Sequence, residues 1–198
     1  HIDSNAAAYV ERQLSRWGIA AEKRLVLMCP GARGSTRRWY PDRYAALADR
    51  LVEEAKAEVA FTGEPSDHEL VDEIIEAMQH RAHNLVGLTT IRQLAALMQR
   101  ASLVIAQDSG SLHLAGAARA RILALFGPSD PRKYGPRGPH DRVIQRHLFC
   151  VPCEVSLCRY NHECMRFISA DEVYEAARKL LGQGAGPSPR PVPRESRG

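Results

Sequence analysis

Leu103-Val104-Ile105-Ala106-Gln107-Asp108-Ser109-Gly110-Ser111-Leu112-His113-Leu114-Ala115-Gly116-Ala117-Ala118 decides the fold, together with Ile122-Leu123-Ala124-Leu125-Phe126 just beyond it. Each apolar run has strand length and lacks the polar alternation of a strand with one wet face. Each therefore reads as a strand covered on both sides. The segment between them, from about Ser111 to Arg119, reads as a helix. Its small residues Ala115, Gly116, Ala117 and Ala118 would let it lie tight against a sheet. Two buried strands joined by a helix make a parallel pair.

The same alternation extends outward. Arg24–Met28 and Glu58–Thr62 are apolar runs closed by Pro30-Gly31 and Gly63, and Asn84-Leu85-Val86 is a shorter one. Tyr44, Leu47, Ala48, Leu51, Val52 and Ala55 fall at helical spacing behind Pro41, which suits a first helical turn. Ser66 with Glu69, Thr90 with Gln93 and Ser169 with Glu172 read as capping boxes that open three more helices. Residues 128–168 are irregular and rich in Pro, Gly, Arg and Cys, with a short strand at Arg142-Val143-Ile144. The expected fold is α/β: a doubly wound, Rossmann-like parallel sheet over residues 24–181. Residues 1–23, with Tyr9, Val10, Leu14 and Trp17, read as a lead-in helix and linker. Residues 182–198 are Gly, Pro and Arg with almost no apolar content, and are expected to be disordered.

The 198 residues suffice for one sizeable domain and not for two. The formal net charge of +4 is spread along the chain, with only the short clusters Arg37-Arg38 and Arg132-Lys133. That pattern suits an anionic small ligand and argues against nucleic acid. No apolar run approaches the length of a membrane span. The polar opening at His1, with no signal segment after it, reads as a piece of something longer or as a processed chain. Five cysteines, an odd number, and no export signal favour a reducing cytoplasm. Cys29 sits at a strand end and reads as a small buried residue.

In doubly wound sheets, ligands bind outside the carboxyl ends of the strands. Three loops lie there. In the first, Pro30 to Trp39, Gly31 and Gly34 allow close backbone approach, and free N–H groups can cradle phosphate. Arg33, Arg37 and Arg38 add charge; a flexible loop with solvated arginines is the other reading. In the second, Gln107 to His113, the helix N-terminus offers unpaired N–H groups and partial positive charge, a good seat for a diphosphate. The plainer alternative is that Asp108 or Ser109 caps the helix and His113 packs. The third, Phe126 to Pro136, reads as a pocket wall whose hydroxyl and basic residues could touch ligand, or as a simple turn.

Taken in this order, the three loops resemble glycosyltransferase family 9, the ADP-heptose:lipopolysaccharide heptosyltransferases, from about Leu25 to Leu181. The most specific match is Asp108-Ser109-Gly110-Ser111-Leu112-His113-Leu114-Ala115; the Pro-Gly-Ala loop and Phe126-Gly127-Pro128-Ser129-Asp130-Pro131 support it. The resemblance implies the GT-B arrangement of two Rossmann-like domains. This chain corresponds to the C-terminal, donor-binding one. The general base is expected in the N-terminal domain, so no catalytic residue is assigned here. The implied reaction is inverting, metal-independent transfer of heptose from ADP-heptose to a lipid-linked saccharide, the lipopolysaccharide core. The resemblance implies that Gly31 belongs to the phosphate loop and that Arg37 stands where the family has a lysine facing the phosphates. It gives Ser109 and Gly110 backbone bonds to the diphosphate, and Asp108 and His113 contacts to sugar or phosphates. Asp67 or Glu64 would meet the ribose, and Leu88 and Thr89 the adenine. No cofactor is required. The implied location is cytoplasmic, peripheral to the inner membrane. A non-catalytic nucleotide or nucleotide-sugar-binding module is the second reading.

Cys150, Cys153, Cys158 and Cys164, spaced x2, x4 and x5 within a loop at 147–166, also occur in a subset of the family. Four thiolates can hold a structural zinc ion tetrahedrally, although only Cys150 and Cys153 form a close pair. His147 and His162 are nearby alternatives as ligands, and reduced free thiols are the other reading.

Overall fold

The structure, a computed structural model, describes residues 4–19 and 22–182. The expectation for the tail, apart from Gly182, falls outside them. Among the described residues, six strands form one parallel sheet in the order β3-β2-β1-β4-β5-β6. They are β1 (Leu25–Cys29), β2 (Glu58–Phe61), β3 (His83–Asn84), β4 (Leu103–Gln107), β5 (Ile122–Phe126) and β6 (Arg142–Gln145). The helices are α1 (Ser4–Arg16), α2 (Pro41–Glu53), α3 (His68–Ala77), α4 (Ile91–Arg100), α5 (Gly110–Ala117), α6 (Pro131–Tyr134), α7 (Glu163–Arg166) and α8 (Ala170–Gly182).

Successive strand side chains point to opposite faces, and both faces are covered. Val26, Met28, Val59, Phe61, Ile105 and Leu125 pack on one side with α2, α3 and α8. Leu25, Leu27, Val104, Ile122 and Phe126 pack on the other with α1, α4 and α5. Val10 and Leu14 of α1 are buried in that second layer, so this helix shares the core of the sheet. No helix among the described residues is long and apolar enough to cross a membrane.

Local details depart from the sequence reading in four places. Ser66 does not open α3; the chain first makes a 3-10 turn at Pro65–Asp67, in which the Glu64 N–H donates to Asp67 Oδ2 at 2.9 Å. Pro65, with its fixed φ and no N–H to satisfy, starts the turn one residue early. The expected box at Thr90 forms with both bonds, Gln93 N–H on Thr90 Oγ1 and Thr90 N–H on Gln93 Oε1, whereas at Ser169 only the Glu172 N–H to Ser169 Oγ bond is made and the Glu172 carboxylate binds Arg146. Of the four small residues of α5 and its end, Ala115 is buried beside Leu112 and Ala118 is buried just past the helix, while Gly116 and Ala117 are exposed. The irregular 128–168 stretch also contains two one-turn helices, α6 and α7.

The strand order reverses between β1 and β4, where the chain turns away in opposite directions and leaves a crevice at the carboxyl ends. Gln107, the last residue of β4, is completely buried there. Its amide nitrogen donates to the Pro30 carbonyl, and its Oε1 accepts from the Tyr44 hydroxyl at 2.8 Å and the Trp39 N–H at 3.3 Å. One side chain thus ties both ends of the first loop and the start of α2 to the central strand. Gln107→Ala would leave buried groups without partners and should cost about 2–5 kcal/mol, whereas Tyr44→Phe should cost about 1 kcal/mol. Urea denaturation measures both, and equal losses would remove Gln107 from its central place.

Candidate functional site

The carboxyl ends of β1, β2, β4 and β5 open on one side of the sheet, as a parallel arrangement requires. After β1 the chain forms a 3-10 turn at Ser35–Arg37, and Arg38 curls back to donate from Nε to the Ala32 carbonyl at 2.9 Å. This turn places Arg37 Nη1 at 3.3 Å from Asp108 Oδ2, just after β4. That oxygen has no directed hydrogen bond, so the attraction is Coulombic. Asp108 is buried while the Arg37 side chain is 38% exposed, which leaves the guanidinium free to turn outward.

Ser109 occupies the N-cap of α5, yet neither it nor Asp108 makes a side-chain capping bond. The simple capping reading of this segment therefore fails. Gly110 opens the helix toward empty space, and His113, one turn in, is exposed rather than packed. Cys29, at the end of β1, is buried, which pushes its thiol up to about 12. The helix start thus presents uncompleted N–H groups and partial positive charge to the crevice.

Gly31 and Asp67 also meet. A side chain at Gly31 would place its Cβ 2.3 Å from Asp67 Oδ2, and one at Gly63 would place it 2.5 Å away. The Asp67 carboxylate fills the space these two glycines leave, so the close approach that Gly31 allows is to Asp67. Thr89, half-buried, follows two residues after Gly87, which reaches this corner. The Gly87 N–H donates to the Gly63 carbonyl at 3.2 Å, and Gly87 (φ +70°) packs on Pro65. Leu88 is 48% exposed next to it, and Glu64 is exposed while donating its N–H to Asp67. The candidates therefore fall into two groups: Arg37, Asp108, Ser109, Gly110 and His113 at the β1–β4 crevice, and Gly31, Asp67 and Thr89 beside β2.

Sequence reading assigned no role to Gln107 or to the Thr62 hydroxyl, and gave the hydroxyl of the third loop only a secondary contact with ligand. Thr62 Oγ1 and Ser129 Oγ, like Ser109 Oγ, are buried without a hydrogen-bond partner among the described residues. They follow β2, β5 and β4. Orphaned polar atoms collect where a ligand or ordered water completes them. The third loop is held by Gln145, whose amide donates to the carbonyls of Gly127 (3.1 Å) and Ser129 (2.8 Å). Asp130 caps α6 and binds the Arg132 guanidinium, which holds its carboxyl below the usual range.

Cys150, Cys153, Cys158 and Cys164 are all free thiols lining one cavity of about 300 Å³, which also touches Thr36 of the first loop and Pro128 of the third. Burial, with the three neighbouring thiols, pushes Cys164 up to about 11. This cavity lies under the Cys-rich loop and away from the α5 N-terminus.

A family model of glycosyltransferase family 9 (heptosyltransferase) matches residues 3–163. The chain belongs to glycosyltransferase family 9. Lipopolysaccharide heptosyltransferase 2 of Salmonella typhimurium is 35% identical over 136 residues, covering 66% of this chain and 39% of that protein. The crystal structure of a family 9 glycosyl transferase from Veillonella parvula superposes with a TM-score of 0.83 at 28% identity, covering 91% of this chain and 52% of that one. The E. coli ADP-heptose lps heptosyltransferase II structure gives a TM-score of 0.76, also at 28% identity and the same coverage. The chain thus spans about half or less of the length of these family 9 relatives.

The tight Gly31–Asp67 fit makes a separable prediction. Gly31→Ala should drive the Asp67 carboxylate out and cost about 1–3 kcal/mol. In an Asp67→Ala background the same change should cost much less, giving a coupling of about 1 kcal/mol or more in a double-mutant cycle. Additive losses would mean that the contact does not matter.

Proposed function

We propose that this chain is the donor-binding half of a GT-B heptosyltransferase, holding a nucleotide sugar, ADP-heptose, for inverting transfer to a lipid-linked saccharide. The observation that carries this is the uncapped N-terminus of α5: Ser109 without a capping bond, Gly110 facing open space, and Arg37 across from Asp108. Family membership does not favour the reading of a non-catalytic module.

In transfer, an acceptor hydroxyl attacks the anomeric carbon and the nucleoside diphosphate leaves. Negative charge grows on the departing phosphates. Fixed N–H groups of Ser109 and Gly110 and the charge of Arg37 stabilise it without reorganising at the moment of reaction. The Arg37 guanidinium, partly exposed and without a directed hydrogen bond to Asp108, can meet phosphate while staying near the buried carboxylate. With those cations supplied by the protein, no metal is required for departure. In this reading Asp67 accepts from the ribose hydroxyls, and the Leu88–Thr89 turn borders the base. The general base would come from the other domain. A lipid-linked acceptor would be met at a membrane surface, on its cytoplasmic side.

Calorimetric titration with ADP and UDP tests the site. ADP should bind saturably, and Arg37→Ala should weaken it by about tenfold or more. Asp108→Ala and His113→Ala should weaken it with little loss of folding, as far-ultraviolet circular dichroism would show. Unchanged affinity in all three variants would remove the assignment. The chain alone should transfer no sugar; turnover would place the base within it.

A further inference from the structure

The loop from Leu148 to His162 contains no helix or strand. Its large apolar side chains Phe149, Leu157 and Tyr160 point to solvent, at 87%, 81% and 51% exposure. Such a loop cannot be held by a core of its own. Leu148 and Val151 alone pack against the domain core, and four of the chain's five cysteines line one cavity beside the loop, Cys164 buried, Cys150 and Cys158 half-buried and Cys153 exposed.

We infer that Cys150, Cys153, Cys158 and Cys164 are the ligands of one tetrahedral, thiolate-preferring metal ion, zinc being expected, which staples this loop to the turn that carries Arg37. The donor set is right for it: soft thiolates select zinc over hard cations, and four of them complete a closed structural site. A backbone N–H already points at one of the sulfurs. Tyr160 donates its N–H to Cys158 Sγ at 3.4 Å. Such outer bonds orient thiolate ligands and share their charge. The histidines are excluded as ligands by their contacts. His162 has one ring nitrogen on the Thr36 carbonyl and the other facing the Tyr40 hydroxyl at 3.4 Å, and His147 does not line the cavity.

Among the described residues no three Cys, His, Asp or Glu side chains yet converge closely enough to share an ion. Binding must draw the sulfurs inward. Cys164 is anchored at α7, so the closing movement falls on the exposed Cys153 and the half-buried Cys150 and Cys158. Their segment has no ladder to break, and metal–thiolate bonding far exceeds the cost of ordering it. The contacts that would carry the effect to the donor site exist: Thr36 Oγ1 donates to the Val155 carbonyl at 2.9 Å, and Cys153 and Glu154 donate to the Pro128 carbonyl at 2.9 and 3.0 Å. Thr36 precedes Arg37, so a stapled loop holds the Arg37 turn from behind.

The test is metal analysis of the chain purified without a histidine tag and without chelator. About one zinc ion per chain is expected. Cys153→Ser and Cys158→Ser should each lose most of it, while Cys29→Ala, outside the cluster, should keep it. Replacement by Co²⁺ should give sulfur-to-cobalt charge transfer and the visible bands of a tetrahedral thiolate site. This second readout on the unaltered chain guards against variants that fail to fold. Iron bound in place of zinc and lost with the same cysteines would uphold the site. A metal-free chain with no cobalt spectrum and four freely reactive thiols would overturn it, as would a disulfide among the four. None of these readouts depends on nucleotide binding, so the donor-site reading stands or falls separately.

Discussion

The buried amide of Gln107 is the constraint on which the rest of this molecule depends. A carboxamide is the side chain that both donates and accepts at one end, and here each role is used: toward the Pro30 carbonyl, the Tyr44 hydroxyl and the Trp39 N–H. At the end of a buried parallel strand, backbone groups leave the ladder with no water to receive them. Gln107 receives those of the neighbouring loop. An apolar residue there would fill the space and leave a carbonyl, a hydroxyl and an N–H orphaned together.

From that point the ligand-facing geometry follows. With both ends of the first loop tied down, its middle closes as a 3-10 turn and Arg37 faces Asp108. Trp39, held by Gln107, reaches the Ile168 carbonyl through its indole N–H at 3.0 Å, and so binds the start of α2 to the segment before α8. The Cys-rich loop then lies across the back of the same turn through Thr36 and Val155. The crevice at the β1–β4 switch is thus braced from within by an amide and from behind by a loop, while its open side is the uncapped end of α5. That arrangement supplies positive potential to an anionic ligand.

The fold was largely legible because apolar runs of strand length, separated by helical spacing, leave few alternatives. Leu103–Ala106 and Ile122–Phe126 are strands because only a sheet covered on both faces can hide every residue of such runs. The Thr90–Gln93 box was legible because both partners lie within one turn. Ser66–Glu69 has the same pattern and failed, because Pro65 started the turn first and Asp67 took the bond to Glu64. The exposed Gly116 and Ala117 misled for another reason: small residues permit close packing without requiring it. Gln107 could have been suspected as a polar residue closing an apolar run.

The sequence alone determined the layered sheet, the positions of the loops at its carboxyl ends and the family motif from Asp108 to Ala115, since each rests on neighbours within a few residues. Tertiary structure alone decided that Arg37 meets Asp108, that Asp67 fills the space beside Gly31 and Gly63, and that four thiols share one cavity with Thr36. Those pairings join residues many positions apart, and local spacing carries no record of which loop ends a parallel sheet will bring together.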